Sequence, residues 1–546
     1  MRMTIKMIVS LFALFLMATS YAENLGNPNA PKGGTFLYNL ESVPTTMHPL
    51  SSTDAYGQVV QDYVLDSLAQ RHPDTYEWVP AMASSWTISK DGKVFEFVLR
   101  DGVKWHDGKP LTAEDVKFSF DAIVEPTNKY KTAHMRPYYE DIEKVEILAP
   151  NKVRFTCKKT YFQNFAVAAG LAILPKHVYE NPSKEEEKKL NKTIIGTGAY
   201  KVDTYDRTKG ITLKRNTDWW GYNVDFYKNT QNYDKILMKF VKEDTIAITM
   251  IEKEELDFIS LSTEAYNKKT SGARWGKSAF KVKYESKAAK GYAFLGFNLN
   301  EPMFKSKKLR TALYHLVNRE LMNEKFLFGQ SELANGPWYK QSEYANPDVK
   351  PILFDMKKAM DLLSEDGWKD TDGDQIVDKM IDGQKVKLSF TILEPLQDFV
   401  KYLTVFKEDA KKAGVDVNIK YVEWNTFIKL LDERKFQMVR LAWGAGSVDI
   451  DPKQIWHSSS YEQQGSNFIN YNNPKVDKLI DEARMAIEKK DRVKLLRDVY
   501  KMIADDVPYI FFFNSRYGYY GHTKRLKRVK DTYNYTVGLS YWWLEK

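Results

Sequence analysis

One cysteine, Cys157, serves all 546 residues, so the chain has no intramolecular disulfide in any compartment. Cys157 alternates with polar neighbours between Arg154 and Lys158. It reads as a packed strand residue, not as a reactive thiol in an electropositive, accessible setting. The His-Glu-x-x-His, Gly-x-Ser-x-Gly and Gly-x-x-x-x-Gly-Lys patterns are missing, which removes the usual signatures of metalloprotease, esterase and phosphate-loop chemistry. Gly196-Thr197-Gly198 has Lys201 where the third glycine of a dinucleotide loop would stand, and reads as a tight turn. The eight histidines are scattered, with no pair at metal-ligand spacing. We therefore expect no catalytic residues, no resident metal, no cofactor and no enzyme activity. A secreted hydrolase with scattered catalytic carboxylates remains as a competing reading.

Long apolar runs are equally scarce. The exception is Met7 to Met17, preceded by Arg2 and Lys6 and followed by Ser20-Tyr21-Ala22. Charge, short apolar stretch and small residues at −3 and −1 form a secretory signal peptide over 1–22, with Glu23 starting the mature chain. The run is short for a bilayer span; a retained anchor helix is the alternative. A lipid anchor needs a cysteine at the cleavage site and there is none, so a freely diffusing periplasmic protein is expected. Tyr509 to Phe513 is apolar but strand-sized.

Excess charge is also modest. Removing Arg2 and Lys6 lowers the formal charge from +9 to +7, and runs such as Glu185-Glu186-Glu187-Lys188-Lys189 mix both signs. Nothing forms a nucleic-acid stripe. Aromatic residues are plentiful, at 14% with 33 Tyr and 13 Trp. They suit a ligand cleft, although most will serve the core. About 524 mature residues (546 less 22) exceed one hydrophobic core, so two or three lobes of a monomer are expected.

Periodicity gives a mixed α/β class. Phe95, Phe97 and Leu99 alternate as a strand, and Thr112 with Asp115 caps a helix. Ile236, Met238 and Phe240 alternate likewise. Ser306 opens a helix with Leu309, Ala312, Leu313, Leu316 and Val317 on one face, ending near Gly329. Val386 to Ile392, Phe399 to Lys412 and Val417 to Tyr421 read as strand, helix closed by Gly414, and strand. That β-α-β unit requires a partly parallel sheet. Asn473-Pro474 starts another helix with Val476, Leu479, Ile480 and Ala483 inward.

Asp370, Asp372, Asp374 and Asp378 alternate on one loop in the manner of a calcium site. Position six is Gln375 rather than glycine, and position twelve is Ile381 rather than a bidentate glutamate. Aspartates also build turns through local bonds, so a plain turn is the preferred reading.

Three segments in order resemble the family-5 extracellular solute-binding proteins, the oligopeptide- and dipeptide-binding group. They are Met82-Ala83-Ser84-Ser85-Trp86 through Trp105-His106-Asp107-Gly108 to Val116; Gly196-Thr197-Gly198-Ala199-Tyr200 with Asp218-Trp219-Trp220-Gly221; and Phe297-Asn298 through Leu309-Arg310-Thr311-Ala312-Leu313 to Asn318-Arg319-Glu320. Asn27-Pro28-Asn29-Ala30-Pro31-Lys32-Gly33-Gly34, Glu243-Asp244-Thr245 and Trp456-His457-Ser458 are most similar to the branch that binds microcin C-like and other modified peptides.

The resemblance implies a three-lobed type II periplasmic-binding fold. Lobe I would comprise 23–60, 195–285 and 515–546, lobe II 61–194, and lobe III 286–514. The ligand would lie extended between lobes I and III, which close over it and deliver it to ABC permease subunits in the inner membrane. A peptide or modified peptide is implied; an oligosaccharide or chelated metal is the alternative, since fold does not fix ligand.

Residue by residue, Trp424 and Arg440-Leu441-Ala442-Trp443-Gly444 match the family's ligand-facing segment. The resemblance implies that Arg440 meets a ligand carboxylate, Trp424 and Trp443 wall pockets, and the main chain near Gly444 pairs with the ligand. The alternatives are an exposed arginine and two core tryptophans. Peptide binders of this family place an aspartate three residues after that tryptophan, to hold the ligand's α-amine; here the position is Gly446. Either Asp449 or Asp451 has taken over that role, or the ligand lacks a free cationic N-terminus.

Overall fold

The computed structural model describes residues 16–17, 23–52, 55–125, 132, 135–462 and 466–545. The expected signal peptide over 1–22 lies outside the described residues apart from Leu16–Met17. Among the described residues no helix is long and apolar enough to cross a membrane. The chain divides into two compact units, 1–283 with 519–546, and 284–518.

In the first unit the alternation at Phe95 and Phe97 becomes the strand Val94–Leu99, paired antiparallel with Ala83–Ile88 and Lys152–Cys157. Cys157 ends that last strand, buried, and burial pushes its thiol up to about 12. This is the inert setting expected for it. The Asp115 carboxylate accepts from the Thr112 N–H at 2.9 Å and so fixes the start of the Ala113–Val124 helix. A separate seven-stranded sheet carries Thr35–Asn39 parallel to Lys235–Lys239, the strand expected around Ile236.

The Gly196-Thr197-Gly198 turn also belongs to this unit, and its glycines are forced by contact. A Cβ on Gly196 would lie 1.9 Å from the Val64 carbonyl, and one on Gly198 would lie 2.7 Å from that of Tyr63. His106 clamps the turn: its Nε2 hydrogen donates to Gly198 O at 3.0 Å and its Nδ1 accepts from Gly196 N–H at 3.3 Å. Burial lowers the imidazole pKa to about 4, which preserves the neutral ring that this donor–acceptor pair requires.

The second unit is built on a six-stranded sheet ordered Ser331–Leu333, Tyr509–Ser515, Tyr292–Phe297, Met438–Trp443, Ser389–Glu394, Asp416–Tyr421. The expected β-α-β unit is present, with Ser389–Glu394 parallel to Asp416–Tyr421 and the Val400–Lys412 helix between them in sequence. Two elements differ from expectation. The strand read from Val386 to Ile392 breaks at Leu388, whose N–H bonds Val377 O; Gln384–Lys387 instead forms a hairpin with Asp378–Ile381. The helix read from Ser306 to Gly329 is two, Lys307–His315 and Arg319–Leu327. Asn318 causes the restart, its side chain accepting from Leu321 N–H at 3.0 Å.

That restart positions Arg319, which is fully buried and donates to the carbonyls of Ala334 at 2.7 Å and Phe511 at 2.6 Å. Arg310 donates to Asp506 O at 2.7 Å and Val507 O at 2.9 Å, capping the Lys489–Asp506 helix. These two arginines therefore serve the fold.

Candidate functional site

Three strands of the second unit, Ser389–Glu394, Asp416–Tyr421 and Met438–Trp443, run in the same direction. Their carboxyl ends consequently share one edge of the sheet, the place where open α/β sheets carry their ligands. The chain turns out of each strand there. Leu396 and Phe399 follow the first, Trp424 follows the second, and Gly444 to Gly446 follow the third.

The third strand overhangs its neighbour. Only Met438 and Val439 pair with Ser389–Glu394, through Ile392 and Leu393, whereas Tyr292–Phe297 pairs along the whole of Met438–Trp443. On its Ser389–Glu394 flank, Arg440–Trp443 has no strand partner among the described residues. A flank without a neighbouring strand is a template for an added strand.

Three apolar side chains are exposed where the chain leaves the first two of these strands, among exposed charged residues such as Asp398 and Glu423. Leu396, Tyr421 and Trp424 are 53%, 54% and 48% exposed, and Trp424 stacks on the buried Phe427 with ring centroids 5.8 Å apart. Leu396 and Tyr421 drew no attention in the sequence. Their signal was the β-α-β unit itself, which fixes where parallel strands end. Trp443 is half-buried and lies between Phe294 and Phe468, centroids 5.9 and 5.7 Å away and nearly parallel to both. It is a fixed wall rather than a free side chain. The main chain at Gly444 is open: a Cβ there would meet nothing within 4 Å. Gly446 is exposed and takes φ +60°, a left-handed conformation that glycine adopts without penalty.

The charged candidates are placed differently from expectation. Arg440 is 3% exposed and faces Glu394, which is 0% exposed. Its Nε hydrogen donates to Glu394 Oε2 at 2.7 Å, its Nη2 meets Oε1, and the Phe399 ring covers the guanidinium at 4.4 Å. The carboxylate that Arg440 meets in the structure is therefore the chain's own. Asp451 pairs through Oδ2 with Arg484 Nε at 2.9 Å, and its Oδ1 accepts from Lys453 N–H at 3.1 Å. Asp449 accepts from the Tyr344 hydroxyl at 3.0 Å. Burial, then the Asp449 charge, pushes that hydroxyl well above its ordinary pKa and keeps it a donor.

The Asp370 loop lies elsewhere in this unit, and its carboxylates are already engaged. Asp370 accepts from Gly373 N–H at 2.7 Å and Gln375 N–H at 3.0 Å; Asp372 pairs with Lys385 at 3.1 Å and Lys387 at 3.3 Å. The Lys385 bond is the main cause that lowers Asp372 to about 2. Asp370, Asp372 and Asp374 lie close enough together to share an ion, but their bonds are those of a turn.

A family model for the bacterial extracellular solute-binding proteins, family 5 Middle, matches residues 77–467. The chain belongs to this family. The match spans most of both units, including the carboxyl-edge site. Among relatives, the oligopeptide-binding protein AppA of Bacillus subtilis is 28% identical over 99% of this chain and 98% of its own. The solved structure of that AppA with a nonapeptide superposes with a TM-score of 0.73 at 26% identity, over 95% of this chain and 100% of that one. NikZ of Campylobacter jejuni in complex with Ni(L-His) gives a TM-score of 0.72, also at 26% identity, over 94% and 100%. Family-5 membership accounts for the mixed α/β fold and makes the chain a solute-binding protein of an extracellular or periplasmic class.

Proposed function

We propose that this family-5 protein is the periplasmic substrate-binding component of an ABC importer, that it captures peptide-like ligands, and that it catalyses nothing. The observation that carries the peptide reading is the flank of Arg440–Trp443 without a neighbouring strand, at the sheet edge where Leu396, Tyr421 and Trp424 are exposed. Such a flank offers main-chain bonds common to every peptide, while exposed apolar side chains accept varied residues without demanding one. AppA, similar over its whole length, is an oligopeptide-binding protein, which supports the same reading. Trp443 would wall one pocket, Trp424 another, and the Gly444 main chain would continue the pairing.

Three lobes, 23–60 with 195–285 and 515–546, 61–194, and 286–514, are proposed on the same footing. The three large sheets support that division. Export through a cleaved leader over 1–22 and release without a lipid anchor belong to this proposal, as do delivery to permease subunits of the inner membrane and a monomeric state.

NikZ, bound to Ni(L-His), keeps the chelated-metal alternative in view. Thermal denaturation of the full chain separates the readings. A randomised peptide pool should raise the melting temperature by a few degrees once its members exceed their Kd about a hundredfold. Nickel–histidine and oligosaccharides should leave it unchanged. A shift with either of those and none with peptides would overturn the peptide reading.

A further inference from the structure

We propose that the first unit carries a docking face for the acidic phospholipids of a bilayer, which gathers the protein at the membrane where its importer works. The face belongs to the first unit and the carboxyl-edge site to the second, so it stands whichever solute is captured.

Residues 277–283 and 522–530 hold eight lysines and arginines and not one acid. The fold brings these two distant segments together. Lys524 N–H donates to Ser278 O at 2.9 Å, and the Phe280 and His522 rings stack with centroids 5.5 Å apart. Four of the eight have acidic partners from outside the two segments: Arg525 with Asp257, Lys527 with Glu545, Arg528 with Asp531 and Lys530 with Asp74. Lys281 donates to Tyr266 O at 2.8 Å and Thr270 Oγ1 at 2.9 Å, neutral acceptors that leave its charge uncancelled. Lys277 and Lys524 are exposed and form no ion pair among the described residues. Eight cations less those four acids leave +4 on this face. That is more than half of the +7 expected for the whole mature chain.

A groove of about 580 Å3 lies between the two segments. Phe280, Val282, Leu526 and Val529 line it with apolar surface, alongside Lys524 and Lys527. Val529, set between Arg528 and Lys530, is 63% exposed. Apolar surface among cations matches an amphiphile with an anionic head: its phosphate meets the ammonium groups while the groove lining and Val529 leave water for the interface. A polyanion without apolar parts would meet the charges and leave that lining wet. Clusters of lysines and arginines attract anionic lipid surfaces, each residue near the surface strengthening binding about fivefold. Exposed pairs such as Lys527 with Glu545 hold too weakly to compete.

The test is flotation with lipid vesicles, using protein purified from its own cells and so processed as it is there. Vesicles of phosphatidylglycerol and phosphatidylcholine in equal parts should carry the protein, vesicles of phosphatidylcholine alone should not, and added salt should release it. Lys524→Glu with Lys527→Glu should weaken vesicle binding at least tenfold at a nearly unchanged melting temperature. Lys305→Glu with Lys307→Glu, at exposed lysines of the second unit, makes the same change in net charge and should weaken binding less than threefold. Equal losses from the two pairs would mean attraction by net charge alone and would overturn the docking face. Equal binding to both kinds of vesicle, binding to neither, or retention on immobilised polyglutamate without binding to vesicles would overturn it too. None of these failures touches solute capture.

Discussion

Arg440 and Glu394 meet where two parallel strands stop pairing, guanidinium against carboxylate, both groups buried. The pair sits at the end of the strand overlap, where Arg440–Trp443 runs on without a partner on that flank. It therefore ties the end of Ser389–Glu394 to the middle of Met438–Trp443, just before the segment that runs on alone.

Breaking this pair from one side should be costly. Glu394→Gln or Arg440→Met alone strands a buried charge or its donors, which costs about 3–5 kcal/mol. The double change should restore much of that, because two neutral groups need no counter-charge. Urea denaturation followed by tryptophan fluorescence measures it. Strictly additive single effects would show that the two residues are not coupled.

Gly444→Ala should separate folding from binding. The added Cβ meets nothing within 4 Å, so stability should change by no more than about 0.5 kcal/mol. Peptide affinity should fall severalfold if the ligand's main chain runs along this segment, as a titration with the peptide pool would show. Unchanged affinity would place the ligand elsewhere on the edge.

Trp424→Ala removes a half-exposed ring that rests on Phe427. The melting temperature should move little, while affinity for peptides rich in apolar residues should drop more than affinity for polar ones. Equal losses for both would argue against an apolar pocket there.

Acid should weaken the first unit through His106. The folded imidazole is held near 4 against an ordinary value of 6.5, so between those values the unfolded chain binds more protons than the folded one. Stability is full above pH 6.5 and is lost as pH falls towards 4, by on the order of 1–3 kcal/mol. His522, lowered to about 4 mainly by burial, acts in the same direction. His106→Gln should flatten the slope in that window; an unchanged slope would mean that the clamp on Gly196 and Gly198 does not titrate.

Reading the sequence went furthest where one residue dictates its own surroundings. The alternation at Phe95 and Phe97, the Thr112–Asp115 cap, Gly414 after its helix and the Asn473-Pro474 start all act within a few residues, and all are present. It failed where a distant partner decides. The break at Leu388 depends on Val377, eleven positions earlier in the chain, and Asn318 restarts a helix whose apolar face looked continuous. The site shows the same division. Trp443 and Gly444 are marked by the Arg440–Gly444 segment itself, but nothing local reveals that Glu394, forty-six residues before Arg440, occupies its guanidinium.

Native mass spectrometry of the full chain, purified from its own cells without unfolding, tests peptide capture most directly. The expected result is a one-to-one complex that releases intact peptide-like molecules, unchanged after prolonged incubation with the protein. Release of sugars or metal chelates alone, or of cleaved fragments from an added peptide, would contradict it.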